Sequence, residues 1–385
     1  MRVKLKDIFD LQMGKTPSRS NLEYWNTTDY KWISIADLTK TSKYIFETKE
    51  YLSKSAIKDS GIKVIPANTV VMSFKLSIGK TAITKEDMYS NEAIMAFKDK
   101  HVINIIPEYI FYLFKYKNWE ECSNKAVMGK TLNKATLSEI EVEICSIEKQ
   151  RQIVNILDKI MSAVDGRKQE LQILDELIKA RFVEMFGDPV KNPKGWEVVT
   201  IGDIVTEVRY GTSKPAVEGG KYPYLRMNNL TADGHLDLND LKYIDIPDDE
   251  IEKCVVRKGD VLFNRTNSIE LVGKTVVFDL QEDMIIAGYI IRVRLNKRLL
   301  PEILSQYMNL EALKDILRSM AKGAVNQANI NAQELQSIKV YIPDMELQKQ
   351  FIEMKNQVDK SKVAVQKALD ETQILFDSLM QKYFG

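Results

Sequence analysis

The sequence is poor in the residues that build disulfide frameworks and metal centres. Its 385 residues include only three cysteines and two histidines. The cysteines are scattered without a CxxC pair, so neither a zinc site nor a set of disulfides is expected. We therefore predict that this chain binds no metal, and two histidines leave little scope for imidazole acid–base catalysis.

Long apolar runs and an excess of charge of one sign are also missing. No segment approaches the roughly 18 uncharged apolar residues that a membrane-spanning helix needs. The first residues, "MRVKLKDIFD", lack the apolar segment of a secretion signal, so we expect a cytoplasmic protein without a membrane span. The formal net charge is +1, so any nucleic-acid surface must come from local clusters of side chains.

Sequence motifs of several enzyme classes are absent. We find no GxSxG, HExxH or GxGxxG pattern. The tripeptides Gly79-Lys80-Thr81 and Gly273-Lys274-Thr275 resemble the end of a phosphate-binding loop, but Phe74 and Ser268 stand where that loop needs glycine. A turn between two strands explains both tripeptides better than a nucleotide site does.

What the sequence does contain is a long internal repeat. The segment "SIEKQRQIVNILDKI" (146–160) is matched by "DMELQKQFIEMKNQV" (344–358), with Glu and Gln residues in the same register. Shorter pairs occur in the same order, among them "GKTAI" with "GKTVV" and "LSEIEVEI" with "LQSIKVYI". The chain is therefore two copies of one plan, in which a globular domain precedes a long helix.

The globular parts have the pattern of mixed α/β domains. Short runs rich in β-branched and aromatic residues predict strands: "KWISI", "TVVMSF", "EAIMAF", "DVLFNR", "TVVFDL" and "GYIIRVRL". Residues 107–118 and 301–318 have helical spacing, and both begin with Pro-Glu, a helix-start signal. The predicted divisions are a first globular domain at 1–145, a helical spacer at 146–187, a second globular domain at 188–343 and a C-terminal helical spacer at 344–385.

Both long helices carry a heptad pattern of apolar residues. In the first helix the heptad positions are Ile153, Leu157, Ile160, Val164, Arg167, Leu171, Leu174, Ile178, Arg181 and Met185. In the second they are Phe351, Lys355, Val358, Lys362, Val365, Leu369, Thr372, Phe376, Leu379 and Tyr383. Such stripes are typical of coiled coils. We predict that the two helices pack antiparallel within one chain; the alternative is that each pairs with another chain.

The ends of these helices have recognisable caps. Ser146 and Asp344 can accept hydrogen bonds at the helix starts, and Gly187 and Gly385 stand where a C-terminal glycine ends a helix. The predicted fold is thus α/β (α+β), with two similar domains separated by two long antiparallel coiled-coil helices and related by a pseudo-two-fold internal repeat.

Both halves carry further motifs in a common order. They are "GKTPS" and "EYWNTTDYKWISIADL" within 14–38, "YPYLRMNNL" (222–230), "KGDVLFNRTNS" (258–268), and Ile342-Pro343 at the second helix. In these motifs the chain resembles, along its whole length, the specificity (S) subunit of type I restriction–modification enzymes. No single motif is highly specific, but their order occurs twice. The first helix departs from the family pattern, since Cys145 stands where proline is usual.

The resemblance implies a non-catalytic subunit that recognises a bipartite, asymmetric site in double-stranded DNA, one half per domain. The helices would dock two methyltransferase subunits, and restriction subunits where the system cleaves DNA. S-adenosylmethionine, ATP and Mg²⁺ would be bound by those partners and none by this chain. The alternatives are a coiled-coil scaffold for protein interactions and, with less support, a stand-alone DNA-modifying enzyme.

Loops rich in Lys, Arg, Ser, Thr, Asn and Gln are the candidates for DNA contact, because these side chains hold phosphates and read base edges. In the first domain they are Lys15, Thr16, Ser18, Arg19, Ser73, Lys75, Ser77, Lys80, Lys130 and Thr131. In the second they are Thr212, Ser213, Lys214, Arg226, Asn228, Asn229, Asn264, Arg265, Thr266, Asn267, Ser268, Lys274, Lys322, Asn326, Gln327 and Asn329. We favour Arg265 and Asn267 as a base-reading pair, because alternation along a strand puts both on one face.

Overall fold

A computed structural model describes residues 1–75, 77–119, 132–324 and 327–385. The chain divides into two compact units. Unit 1 comprises Met1–Gly166 together with Ala368–Gly385, and unit 2 comprises Arg167–Lys367. Each unit therefore contains one globular domain and parts of both long helices.

Unit 1 contains a mixed α/β domain. Its strands are β1 (Arg2–Lys4), β2 (Phe9–Met13), β3 (Tyr30–Ile33), β4 (Tyr44–Ile45), β5 (Glu50–Leu52), β6 (Val70–Ser73), β7 (Thr81–Thr84), β8 (Tyr89–Ser90), β9 (Ile94–Asp99) and β10 (Glu141–Glu143). Its helices are α1 (Leu5–Ile8), α2 (Ile35–Lys40), α3 (Lys54–Ser60), α4 (Pro107–Tyr116), α5 (Lys134–Glu139) and the first half of α6 (Ile147–Phe186).

The central sheet of unit 1 has the strand order β2-β9-β6-β7-β4. A second sheet has the order β5-β3-β8, and β1 pairs with β10 beside the start of α6. Strand β6 is buried along its whole length, which explains its continuous run of apolar residues. Helix α4 buries every residue from Tyr109 to Phe114 and closes the core.

Unit 2 repeats this plan. Its strands are β11 (Glu197–Thr200), β12 (Val205–Tyr210), β13 (Tyr222–Leu225), β14 (Lys242–Ile244), β15 (Val255–Val256), β16 (Val261–Asn264), β17 (Thr266–Asn267), β18 (Thr275–Val277), β19 (Met284–Ile286), β20 (Ile290–Leu295), β21 (Lys322–Ala324), β22 (Gln327–Asn329) and β23 (Lys339–Ile342). Its helices are α7 (Ile201–Ile204), α8 (Asp248–Cys254), α9 (Pro301–Met308), α10 (Glu311–Met320), α11 (Ala332–Gln336) and the first part of α12 (Met345–Phe384).

The strand connections confirm the internal repeat. The central sheet of unit 2 has the order β12-β20-β16-β18, which matches β2-β9-β6-β7 of unit 1. In the second sheet β13 pairs parallel with β19 and antiparallel with β14, as β3 does with β8 and β5. The predicted fold class, two similar mixed α/β domains with long helices, is confirmed.

The helix predicted at 301–318 is wrong in one respect, because it is broken into α9 and α10. The break lies at Asn309, whose backbone has φ −94° and ψ 0°. Its side-chain amide donates to the Thr275 carbonyl at 2.6 Å and accepts from Lys314 Nζ at 2.8 Å. The hydrogen bond to Thr275 of β18 and the one from Lys314 of α10 hold Asn309 at the break, and the apolar spacing cannot reveal them.

The two long helices begin and end close to the predicted residues. Ser146 Oγ accepts from the Lys149 backbone N–H at 3.4 Å, and Asp344 Oδ1 accepts from Glu346 N–H at 2.8 Å. Gly187 follows α6 with φ +88°, a left-handed conformation that favours glycine. All ten predicted heptad positions of α12 are buried or half-buried.

Within each unit the two helices pack against each other. In unit 1, Ile153 and Leu157 of α6 share an apolar cluster with Phe376 and Met380 of α12. In unit 2, the rings of Phe182 and Phe351 lie 5.2 Å apart, and Lys362 pairs with Asp175 at 2.5 Å. The later residue of α6 meets the earlier residue of α12, so the segments in unit 2 run antiparallel. Pairing within one chain is confirmed.

One predicted heptad position is wrong. Arg181 is exposed, while Phe182 and Phe186 are fully buried. The buried positions advance from Ile178 by steps of four, which keeps them on one helix face that contacts both Phe351 of α12 and the core of the globular domain.

The repeated glutamine at the start of each helix has a structural role. Gln150 is fully buried, and its amide nitrogen donates to the carbonyls of Asn104 and Cys145, both at 3.0 Å. Its oxygen accepts from Ile106 N–H at 2.9 Å.

Gln348 repeats all three hydrogen bonds in unit 2. It donates to Arg298 and Pro343 carbonyls at 3.2 and 2.9 Å and accepts from Leu300 N–H at 3.0 Å. Each glutamine thus fixes its long helix to the chain entering α4 or α9.

Candidate nucleic-acid interface

In each domain three loops meet at the same edge of the central sheet. The first loop follows β2 or β12, the second connects β6 with β7 or β16 with β18, and the third precedes β9 or β20. We call these three loops the contact face of each domain. It contains most of the residues predicted to touch DNA.

Backbone hydrogen bonds hold the first loop against the third. The Gly14 N–H donates to the Ile94 carbonyl at 3.2 Å, and the Lys15 N–H donates to the Ser90 carbonyl at 2.8 Å. A Cβ atom at Gly14 would lie 2.2 Å from the Asn91 carbonyl oxygen, so only glycine permits this approach. In the second domain Gly211 makes an equally close approach, with 2.2 Å to the Ile286 carbonyl oxygen.

The second loop differs in length between the two domains but is closed by the same backbone hydrogen bonds. Ser73 N–H donates to the Lys80 carbonyl and Asn264 N–H to the Lys274 carbonyl, both at 2.9 Å. Gly79 and Gly273 have φ of +89° and +82°. The Gly-Lys-Thr tripeptides therefore form turns in both domains, as expected.

Two further hydrogen bonds define which residues are equivalent. Phe74 N–H donates to the Ala93 carbonyl, and Arg265 N–H donates to the Tyr289 carbonyl, both at 2.9 Å. The contact faces share this backbone but carry different side chains. Phe74 is buried in the core, whereas Arg265 is half-buried with its guanidinium carbon 5.0 Å from the Tyr210 ring centroid.

In the first domain most candidates reach the surface. Lys15, Ser18, Arg19 and Ser77 are exposed, and Thr16, Lys75 and Lys80 are half-buried. The Arg19 guanidinium stacks 3.7 Å from the Trp25 ring centroid and pairs with Glu50 through both terminal nitrogens. Its orientation is therefore fixed before any ligand binds. Lys130 and Thr131 lie outside the described residues.

In the second domain Ser213, Asn228, Lys322 and Gln327 are exposed. Thr212, Lys214, Arg226, Arg265, Asn267, Ser268 and Asn329 are half-buried. Three strands, β17, β22 and β21, bring residues 266–267 beside 327–329 and 322–324. Predicted candidates from distant parts of the sequence, such as Thr266 and Asn329, thus lie side by side. Asn326 lies outside the described residues.

Five candidates are buried: Ser73, Asn229, Asn264, Thr266 and Lys274. Asn264 donates to the Thr266 and Tyr289 carbonyls at 3.1 and 3.2 Å, and Lys274 Nζ donates to the Met227 carbonyl at 2.7 Å. Burial lowers the pKa of Lys274. In this structure these side chains support the loops, so we propose direct DNA contacts only for the accessible candidates.

Sequence reasoning did not select Glu92, Tyr210 or Tyr289. Glu92 is exposed on the third loop and accepts a hydrogen bond from Thr16 Oγ1. Tyr289 is 50% exposed and Tyr210 43% exposed beside Arg265. Tyr289 belongs to the run "GYIIRVRL", which predicts a strand, whereas Tyr210 ends β12, a strand that was not predicted. Only the pairing of β12 with β20 brings both tyrosines to the contact face.

One group of side chains has the composition of a metal site. Ligand atoms of Asp175, Asp233 and His235 lie within 4.8 Å of one another. Lys362 Nζ lies 2.5 Å from Asp175 Oδ1 and 3.3 Å from His235 Nε2, so an ammonium already supplies the positive charge. We assign the group to a salt-bridge network that connects residues 233–235 to the two long helices, through Asp175 of α6 and Lys362 of α12.

Comparison with known proteins identifies the family. The model of the type I restriction modification DNA specificity domain matches residues 1–175 and 193–372. The chain belongs to this family. The two matched segments correspond to the two copies of the internal repeat.

Individual relatives agree with this assignment. The MjaIX specificity subunit of Methanocaldococcus jannaschii is 30% identical over 250 residues, 59% of this chain and 57% of the relative. The EcoKI specificity subunit of Escherichia coli K12 is 26% identical over 289 residues, 70% of this chain and 62% of the relative. The chain thus spans less than two thirds of the length of these type I restriction enzyme specificity subunits.

Solved structures share the fold over the full chain. The S subunit of a type I restriction–modification system from M. genitalium matches with a TM-score of 0.54 at 13% identity, covering 100% of this chain and 96% of its own. A chain from a study of complex assembly and conformational transition of the type I R-M system matches with a TM-score of 0.59 at 19% identity, covering 100% and 97%. Within the described residues, none of the helices combines the length and apolar character of a membrane span.

Proposed function

We propose that this chain is the DNA-recognition subunit of a type I restriction–modification enzyme, and that each domain reads one half of a bipartite site. The duplicated contact face is the observation that supports this proposal most directly. The same backbone hydrogen bonds position its loops in both domains, while the side chains differ, as at Phe74 and Arg265. A shared backbone arrangement with different side chains is what recognition of two half-sites of different sequence requires.

The accessible candidates divide into two kinds of contact. Lysines and hydroxyl groups hold phosphates, whereas Arg, Asn and Gln can make paired hydrogen bonds to base edges. We assign base reading in the second domain to Arg265 and Asn267, which lie on either side of the buried Thr266 and therefore share a face.

The chemistry belongs to partner subunits under this proposal. This chain would contribute no catalytic residue, and methyltransferase subunits would bind S-adenosylmethionine and modify the DNA. Restriction subunits, where present, would use ATP and Mg²⁺. The assembled complex would act in the cytoplasm on cellular DNA.

Docking of two methyltransferase subunits would use the outer faces of α6 and α12. These faces carry exposed apolar side chains, among them Ile173 and Leu177 on α6 and Ile374 and Leu375 on α12. Exposed apolar patches on helices mark protein-interaction sites.

The decisive experiment is to express the chain with its methyltransferase partner and to sequence the methylated bases of the host genome. We expect an asymmetric motif interrupted by a spacer of fixed length. A continuous motif would contradict one half-site per domain. If methylation persisted when this chain is omitted, a recognition role would be contradicted and a protein-interaction scaffold would be favoured.

A further inference from the structure

The two contact faces differ in charge at one equivalent point. Because Ala93 and Tyr289 accept the same hydrogen bond, the residues just before them are equivalent as well. These are Glu92 in the first domain and Gly288 in the second. The first domain therefore places a carboxylate where the second has no side chain.

In the second domain a guanidinium occupies this region instead. Arg265 Nη1 donates to the Gly288 carbonyl at 3.3 Å, and its Nε is buried without a partner among the described residues. The ring of Tyr210 supports the guanidinium from one side. Its remaining donors can hold the O6 and N7 acceptors of guanine.

In the first domain Glu92 is an ionised acceptor that already receives one hydrogen bond, from Thr16 Oγ1. A hydrogen bond from Thr16 lowers the pKa of Glu92 against the opposing effect of partial burial, and the charges of Lys75 and Arg19 lower it further. A carboxylate on a surface that meets phosphates costs electrostatic energy. That cost is offset if the carboxylate accepts a hydrogen bond from a base.

Cytosine is the base that fits a pure acceptor. Its N4 amino group is a major-groove donor without an acceptor on the same base, whereas adenine presents N7 beside its amino group. We propose that Glu92 reads a cytosine in the first half-site, opposite in polarity to the guanine read by Arg265 in the second. This inference rests on the proposed function.

The test is Glu92→Gln in the full chain, assembled with the methyltransferase subunits and assayed by sequencing methylated DNA. Wild type should require one C·G pair in the first half-site. The variant should lose about 5- to 150-fold discrimination at that pair, with A·T gaining most, because glutamine bonds adenine through both N6 and N7. The second half-site should be unchanged.

Glu141→Gln is the matched control. Glu141 is exposed on β10, which pairs with β1 in a sheet separate from the central sheet that carries the contact face. If Glu92→Gln does not assemble, Glu92→Asp keeps the charge, withdraws the carboxylate and should relax the same pair. Unchanged discrimination, equal relaxation in the control, or relaxation in the second half-site would overturn the inference. Absence of any interrupted motif in wild type would instead overturn the proposed function.

Discussion

At the scale of single residues, two neighbouring asparagines among the DNA-contact candidates are placed differently. Asn228 is exposed, whereas Asn229 is 2% exposed and bonds to Arg226 N–H and the Asp237 carbonyl. Composition selects both as DNA contacts, because both side chains have the same donors and acceptors. Only the short turn at Met227–Asn229 determines which one points outward.

Arg265 is the residue expected to matter most for the second half-site. Arg265→Ala should weaken or relax recognition of that half by about 1–3 kcal/mol, the worth of a bidentate contact to guanine. The measurement is binding of the assembled complex to duplexes with single-base changes in each half. Lys258→Ala is the control, since exposed Lys258 precedes β16 whereas Arg265 follows it. Equal loss at both halves would contradict the assignment.

Lys314 should make stability depend on pH. Burial lowers its pKa from 10.5 to about 8, and Nζ donates to the Gly273 carbonyl at 2.8 Å. Between these values the unfolded chain binds more protons than the folded chain, so this residue's contribution to stability increases as pH rises from about 8 towards 10.5.

The check is thermal unfolding of wild type and Lys314→Met at about pH 7.5 and pH 9.5. The melting temperature of wild type minus that of the variant should be larger at the higher pH. Lys258→Met, which changes an exposed lysine, should show no such change with pH. A difference that stays constant or shrinks would show that the buried ammonium is not titrating.

At the scale of elements, the long helices and six of the strands, among them β6, β9 and β20, could be predicted because their apolar patterns are strong. The break between α9 and α10 could not be predicted, nor could the burial of Phe182 in place of Arg181, since both depend on tertiary partners. Asn309 bonds to a strand outside its own helix, and Phe182 packs on the ring of Phe351 in the other long helix. Local periodicity contains neither contact.

The repeated glutamine should contribute more to the free energy of unfolding than exposed residues on the same helix do. Gln150→Leu would leave the Ile106 N–H and two carbonyls without their partner, which costs about 1–3 kcal/mol for each buried polar group left unsatisfied. Chemical denaturation should show a lower free energy of unfolding. Gln152→Leu, at an exposed position on the same helix, should change it little; equal effects would remove the structural explanation of the repeat.

The exposed apolar pair on α6 should bind a partner. Ile173 and Leu177 are 54% and 47% exposed and lie four residues apart, on one helix face. Changing both to Asp should reduce co-purification of the methyltransferase subunit while thermal unfolding of the chain stays unchanged. Phe46→Asp, at a 56% exposed position in the first globular domain, should not affect co-purification. Equal recovery of partner with all three proteins would exclude this docking face.

At the scale of the whole molecule, duplication could be predicted from sequence, but the chemical difference between the copies could not. The repeated motifs align the scaffold, and the loops between them have different lengths and residues. Hydrogen bonds such as Phe74 to Ala93 and Arg265 to Tyr289 are needed to establish which loop residues are equivalent. The comparison of charge at Glu92 and Gly288 depends on that alignment in space.

Because each domain carries its own contact face, the domains should be exchangeable. Replacing residues 188–343 with the second domain of a relative should change one half of the methylated motif and keep the other half. The spacer between the halves should keep its length, since α6 and α12 both lie outside the exchanged residues. Sequencing of methylated DNA from cells with the exchanged chain is the measurement. A change in both halves would mean that the two faces read DNA jointly, and a changed spacer would mean that the helices alone do not set the separation.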